Sequence, residues 1–311
     1  TGIVEDEFID LMGGKYYLLV GDSASGKTMF ALNALAEAAI NPAFSKHRLI
    51  HDDIEGGALM SVSKFFGKKL DDRLEVKHSE TVEQLYDEML DDAKKGSFIR
   101  VVDSNDSLDC AADLKLASAR KTARESGKDE PGSYGAEKAK RTKQGLRRLI
   151  APLRNTGSIL IVIAQTIDNL GFGFEKKTRA GGRALRFFAA AELWFSIVGS
   201  IKKMVNGRDV KIGSTLQIKV KKNRQTGREP EIEVPFYPAT GFDETGSLVD
   251  YLIAEKAWKP KGESKGSFTA EALGISGTRE RLIEKIEARD LEAELRQEAA
   301  GCWADVEAAC R

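Results

Sequence analysis

The chain has 311 residues, 41% hydrophobic and 31% charged, enough to bury a full core in one large globular domain with a smaller appendage. Its longest apolar candidate, residues 184–199, is broken by Arg186 and Glu192 and falls short of the roughly 18 residues of a membrane span, which excludes an integral membrane helix. Formal net charge is zero, yet residues 115–154 hold twelve Lys/Arg against four Asp/Glu and residues 172–224 thirteen against three, a distribution that suits either a polyanion partner along one face or ordinary solvated surface.

The first element is a strand over 16–20, Tyr-Tyr-Leu-Leu-Val, followed by Gly-Asp-Ser-Ala-Ser-Gly-Lys-Thr at 21–28 and a helical stretch from Met29. Further strands are expected at 48–51, 98–102, 159–164 and 193–198. A helix is expected over 81–94, with Leu85, Met89 and Ala93 on one face. This alternation predicts an α/β fold with a largely parallel central sheet. Next come two β-like runs, 216–222 and 231–237, flanking a polar hairpin tip at 223–228. Past Trp258 a Lys/Gly/Ser-rich linker leads to a charge-rich helical run, 278–299, so the division expected is a core over 1–260 and a small C-terminal helical module over 261–311. Residues 124–135 and 168–182 are rich in Gly and polar residues and read as mobile loops. Cys110, Cys302 and Cys310 show neither metal-ligand spacing nor a disulfide framework and no signal peptide is expected, so the expected compartment is a reducing, cytoplasmic one.

The run 21–28 sits where a phosphate-binding loop belongs. A strand that turns through glycine into a helix aims backbone N–H groups and the positive helix end at one point. Gly21, Asp22, Ser23, Ala24, Ser25, Gly26, Lys27 and Thr28 are therefore the expected ATP-binding residues, with Lys27 on the β and γ phosphates and Thr28 on Mg²⁺. Asp103, after the run 98–102, is the expected second Mg²⁺ carboxylate, although Arg100 interrupts that run. Asp52, Asp53 and Glu55 are equal candidates to orient the attacking water; either Asp is also suited to capping or surface duty. Gln165, at the end of the strand 159–164, is placed to sense a γ-phosphate and pass its state to the loop that follows. In that loop, glycines would admit a nucleic-acid strand, Lys176, Lys177 and Arg179 would neutralise phosphates, and Leu170, Phe172 and Phe174 would wedge or stack between bases.

In this order the pieces resemble the RecA/UvsX family of recombinases. The carriers are the loop 21–28, Asp53-Ile54-Glu55, Val101-Val102-Asp103-Ser104, the run from Ile161 through Gln165 to Gly181-Gly182-Arg183-Ala184-Leu185-Arg186-Phe187, Lys219 to Arg224, and Gly241 to Asp250. The resemblance implies a DNA-dependent ATPase that coats single-stranded DNA as a filament, then engages duplex DNA for pairing and strand exchange. It selects Glu55 as the catalytic carboxylate and Gln165 as the γ-phosphate sensor. It implies that Lys222 and Arg224 reach a neighbouring subunit's nucleotide, and that a first DNA loop over 124–138 leads into a basic helix bearing Arg141 and Arg147. A second DNA loop would hold Leu170, Gly171, Phe172, Phe174, Lys176, Lys177, Arg179, Gly181, Gly182 and Arg183. Two other functions share the phosphate loop: a ring-forming motor such as a packaging ATPase or helicase, and an ATP-binding regulator with little turnover.

Overall fold

The computed structural model describes residues 11–57, 60–125, 137–168, 177–179, 182–261 and 266–309. In chain order the first elements are β1 (Tyr16–Gly21), α1 (Lys27–Ile40), β2 (Arg48–Asp53), α2 (Val62–Phe66), α3 (Lys68–Asp71), β3 (Leu74–Lys77), α4 (Val82–Lys95) and β4 (Phe98–Asp103). Then come α5 (Ala111–Glu125), α6 (Glu137–Thr156), β5 (Ile159–Asp168), β6 (Lys177–Arg179), α7 (Gly182–Phe188), β7 (Ala191–Val205), β8 (Arg208–Asn223), β9 (Glu231–Tyr237) and β10 (Gly241–Phe242). The chain ends with α8 (Glu244–Ala254), β11 (Lys259–Pro260), β12 (Phe268–Ala270), β13 (Ile275–Gly277), α9 (Arg279–Glu287) and α10 (Glu292–Ala309).

Two compact units emerge. One comprises Leu11–Ser196 with Ile218–Glu231; the other includes Ile197–Gln217 and Ile232–Arg311. In the first unit β1 is hydrogen-bonded in parallel to β5 on one side and β7 on the other, and the sheet continues β5-β4-β2-β3. All six β1 residues are buried, as expected of a parallel strand covered on both faces, which reads as a continuous apolar run rather than an alternating one. Thr81 caps α4 by accepting the Gln84 amide at 3.2 Å. The buried face of α4, including Leu85, Tyr86 and Met89, joins Leu146, Leu149 and Leu153 of α6 in the core. Gly145 is what lets α6 approach: a Cβ there would lie 2.2 Å from the Tyr86 ring.

In the second unit Trp258 is buried among Val249, Leu252, Leu282, Ile286 and Leu295, and its indole donates to Glu298 at 2.8 Å. This core includes α8 residues together with the small sheet β11-β12-β13.

Several expected boundaries shift. The single helical run over 278–299 is two helices: Asp290 adopts φ 52°, the Leu291 amide reaches the Ile286 carbonyl at 3.0 Å and the Asp290 amide reaches Glu287 at 3.5 Å. That bond pair closes a helix with a left-handed residue after its C-cap, a conformation Asp tolerates better than most. The mobile-loop reading of 124–135 is wrong at its start, since α5 runs through Glu125. It is also wrong at both ends of 168–182. There β5 extends through Asp168, Thr166 to Asp168 pair antiparallel with Arg179 to Lys177, and α7 begins at Gly182. Strand 193–198 is the middle of β7, which reaches β8 through Asn206 (φ 49°) and Gly207 (φ 75°). Two successive positive-φ residues are the geometry a tight two-residue turn demands, and Asn-Gly is the sequence that supplies it.

Candidate nucleotide site

The sheet register assembles the site. Gly21 lies beside Gln165 of β5 and Phe195 of β7, while Asp53 of β2 lies beside Asp103 of β4. The carboxyl ends of parallel strands therefore gather the phosphate loop, the two strand-end acids and the glutamine in the crevice where α/β sheets bind ligands. The loop leaves β1 with no room for a side chain at position 21: a Cβ would sit 2.5 Å from the Phe195 carbonyl oxygen and 2.7 Å from Ser25 Oγ. Ala24 and Gly26 take positive φ, 59° and 87°, before α1 begins at Lys27.

Lys27 is buried, and its ammonium donates to the carbonyls of Gly21 at 2.8 Å and Asp22 at 2.6 Å. Burial lowers its pKa from the ordinary lysine value, while Asp103, Asp22, Glu55 and Asp106 partly oppose that. The Thr28 hydroxyl donates to Asp103 Oδ2 at 2.6 Å. This hydroxyl and carboxylate, with the loop beside them, form an all-oxygen donor set that fits Mg²⁺ completed by nucleotide phosphates.

The three acids after β2 part company. Side chains alternate along a strand, and Asp52 turns to a fully buried ion pair with Arg100, accepting also from the Ser79 amide at 2.8 Å and hydroxyl at 2.7 Å. Its surface-acid reading is therefore overturned. Asp53 Oδ1 accepts from the Gly57 amide at 3.1 Å and shapes the turn that follows. Glu55 alone turns to the strand ends, where its Oε1 accepts from Ser104 Oγ at 2.5 Å, Ser107 Oγ at 2.9 Å and Gln165 Nε2 at 3.1 Å. Gln165 does not close its strand, since β5 runs on to Asp168, and its side chain donates to Glu55.

Other expected residues lie elsewhere. Lys222 lies in β8, which covers the expected run 216–222, and its ammonium donates to the Arg186 carbonyl and, at 3.2 Å, to that of Phe187. Arg224 donates to the Phe187 carbonyl at 2.9 Å. Both cations thus seat on the C-terminal end of α7, which lies next to β7 in sequence. Arg141 and Arg147 are exposed on α6, Arg141 within 3.5 Å of Glu83. Leu170, Gly171, Phe172, Phe174, Lys176 and Gly181 fall outside the described residues. Lys177 and Arg179 contribute backbone to β6, and Gly182 and Arg183 begin α7.

Sequence reasoning missed Ser104, Asp106, Ser107, Lys138 and His51. The polar run Ser-Asn-Asp-Ser directly after Asp103 was the available signal for the first three. His51 Nε2 is buried 3.9 Å from Asp103 Oδ2 and has no hydrogen-bond partner among the described residues.

Residues 11–242 match the family model for the RecA N-terminal domain. The chain is similar to Protein RecA of Chelativorans sp. (strain BNC1), 28% identical over 294 residues that cover 92% of this chain and 75% of that one. Protein RecA of Geobacter sulfurreducens is 29% identical over 277 residues, 88% of this chain and 75% of the relative. Protein RecA of Nocardia farcinica is 28% identical over 310 residues, 95% of this chain and 80% of the relative.

Proposed function

The chain belongs to the RecA family and is an ATP-dependent DNA recombinase; we propose that it hydrolyses ATP at this strand-end site in response to single-stranded DNA, which it coats as a filament. The observation that carries the site assignment is the convergence of Gln165, Ser104 and Ser107 on one oxygen of Glu55. The ring-motor and regulator readings are not favoured, since the relatives reported above carry the name Protein RecA.

The chemistry follows from the contacts. Lys27 exchanges the carbonyls of Gly21 and Asp22 for phosphate oxygens, and a desolvated ammonium gains more from an anion than a hydrated one does. Residues 21 to 28 hold the phosphates through backbone amides. Thr28 and Asp103 would hold Mg²⁺, which when bound neutralises charge on the β and γ phosphates. Glu55 orients the attacking water and takes its proton, its second oxygen being the one not engaged by Ser104, Ser107 and Gln165 in these contacts. Gln165 links that event to the segment after β5. Lys222 and Arg224, leaving α7, would stabilise developing γ-phosphate charge in an adjacent subunit. Single-stranded DNA would lie against residues 170–183 and the exposed Arg141 and Arg147, with duplex DNA engaged afterwards.

Electron microscopy with single-stranded DNA and a non-hydrolysable ATP analogue, paired with ATP turnover assays with and without that DNA, tests the reading. Helical filaments and DNA-stimulated turnover are expected. Closed rings, or turnover indifferent to DNA, would overturn it.

A further inference from the structure

The short turn after β4, Asn105–Ser107, holds more of the site together than its length suggests. The carboxylate of Asp106 accepts the backbone amide of Gln165 at 2.5 Å. Its own carbonyl accepts Lys138 Nζ, from the first turn of α6, at 2.7 Å. One residue further on, Ser107 donates to the same Glu55 oxygen that receives the Gln165 side chain. A single three-residue turn therefore grips the backbone of Gln165, one oxygen of Glu55 and the start of α6.

Asp106 and Lys138 are half-buried, while Ser107 lies at the surface. Burial raises the Asp106 carboxyl above the ordinary carboxylate value, opposed by the Gln165 amide and by Lys138, and burial lowers the Lys138 ammonium. An exposed carboxylate has water as an alternative partner, whereas this half-buried one has less access to water and is held by the Gln165 amide. Fixing that amide fixes the direction in which the Gln165 side chain leaves β5. The Gln165–Glu55 hydrogen bond then forms without a search over backbone positions.

We propose that Asp106 is a positioning residue for ATP hydrolysis: by holding the Gln165 amide it aims the Gln165 side chain at Glu55, and through Lys138 it ties that pair to α6. Asp106 touches neither nucleotide nor reacting atoms in this role. The inference rests on the assignment of Glu55 and Gln165 to DNA-stimulated ATP turnover.

The test compares Asp106→Ala, Asp106→Asn and wild type in ATP turnover with and without single-stranded DNA. An Asn side-chain oxygen can still accept the Gln165 amide, whereas Ala cannot. Asp106→Ala is expected to lower DNA-stimulated kcat by about tenfold to a hundredfold, as a misplacement on the ångström scale does. KM for ATP should stay within about twofold of wild type, and Asp106→Asn should recover most of the lost kcat. Hydrogen exchange at the Gln165 amide provides a readout apart from activity. Protection is expected in wild type and Asp106→Asn and should fall in Asp106→Ala while the β1 amides stay protected. Wild-type stimulation in Asp106→Ala, or an Asp106→Asn variant as impaired as Asp106→Ala, would overturn the inference alone. A wild-type chain without DNA-stimulated turnover would remove the underlying assignment, and the inference with it.

Discussion

Around strands β2 and β4 stand two sets of carboxylates that are partnered in opposite ways. Asp52 and, on α4, Asp92 are met by cations: Arg100 bridges both, and Arg48 and Lys77 add to Asp92 at 2.8 and 2.9 Å. Glu55 and Asp103 are met by neutral donors, the hydroxyls of Ser104, Ser107 and Thr28 and the amide of Gln165. The first set has spent its charge inside the fold. In the function proposed above, the second keeps its charge for a metal ion and a water, because a hydroxyl or amide orients a carboxylate without cancelling it. Within β2, alternation sends Asp52 to the face that meets Arg100, whereas Glu55 lies past the end of the strand, beside the carboxyl ends of the sheet.

The comparison breaks if the first set proves dispensable for stability. Arg100 and Asp52 are both fully buried, and breaking a buried pair costs about 3–5 kcal/mol, with Asp92 and Glu88, which Arg100 keeps, setting the lower end of that range here. Asp52→Ala is therefore expected to lower unfolding free energy by about that amount in a denaturant titration. The double replacement Asp52→Leu with Arg100→Leu should recover much of the loss, because packed apolar groups can replace a buried pair. An Asp52→Ala variant as stable as wild type would erase the distinction between the two sets.

A smaller effect sharpens it through pH. Hydrogen bonding to Arg48 holds the Glu75 carboxyl below its usual value. Burial pulls Asp92 upward, but hydrogen bonds from Arg48 and Lys77 outweigh it and leave that carboxyl lowered as well. Carboxylates with depressed folded-state pKa stabilise the protein above the unfolded value of about 4, and that contribution disappears as pH falls through the folded value. Stability measured by thermal melts should therefore drop below about pH 4, and Glu75→Gln should flatten part of that drop. A Glu75→Gln profile parallel to wild type would contradict the pairing.

How far this contrast was legible in sequence varies residue by residue. The phosphate loop was readable because its chemistry is local: a strand, Gly21, Gly26, Lys27 and Thr28 follow one another in the chain. Asp103 and Gln165 stood out because each follows an apolar run in the sequence, although both lie within their strands. The fate of Asp52, Asp53 and Glu55 was not, since three neighbouring acids look alike until β2 pairs with β4 and the alternation acquires an inside. Arg100 looked like a flaw in its strand because its partners, Asp52, Asp92 and Glu88, come from other elements. Asp106 was invisible for the same reason, its ligand being a backbone amide 59 residues away. The break between α9 and α10 was hidden because it depends on one left-handed aspartate, where a glycine would have announced it.

The central claim is that Glu55 belongs to the working set and Asp52 to the structural one. Glu55→Gln, assayed for ATP hydrolysis in saturating single-stranded DNA alongside nucleotide binding and thermal stability, tests it most directly. The expected result is turnover reduced by about 10² to 10⁴ with nucleotide binding and melting temperature close to wild type. Hydrolysis at the wild-type rate, or a collapse in stability like that expected of Asp52→Ala, would contradict it.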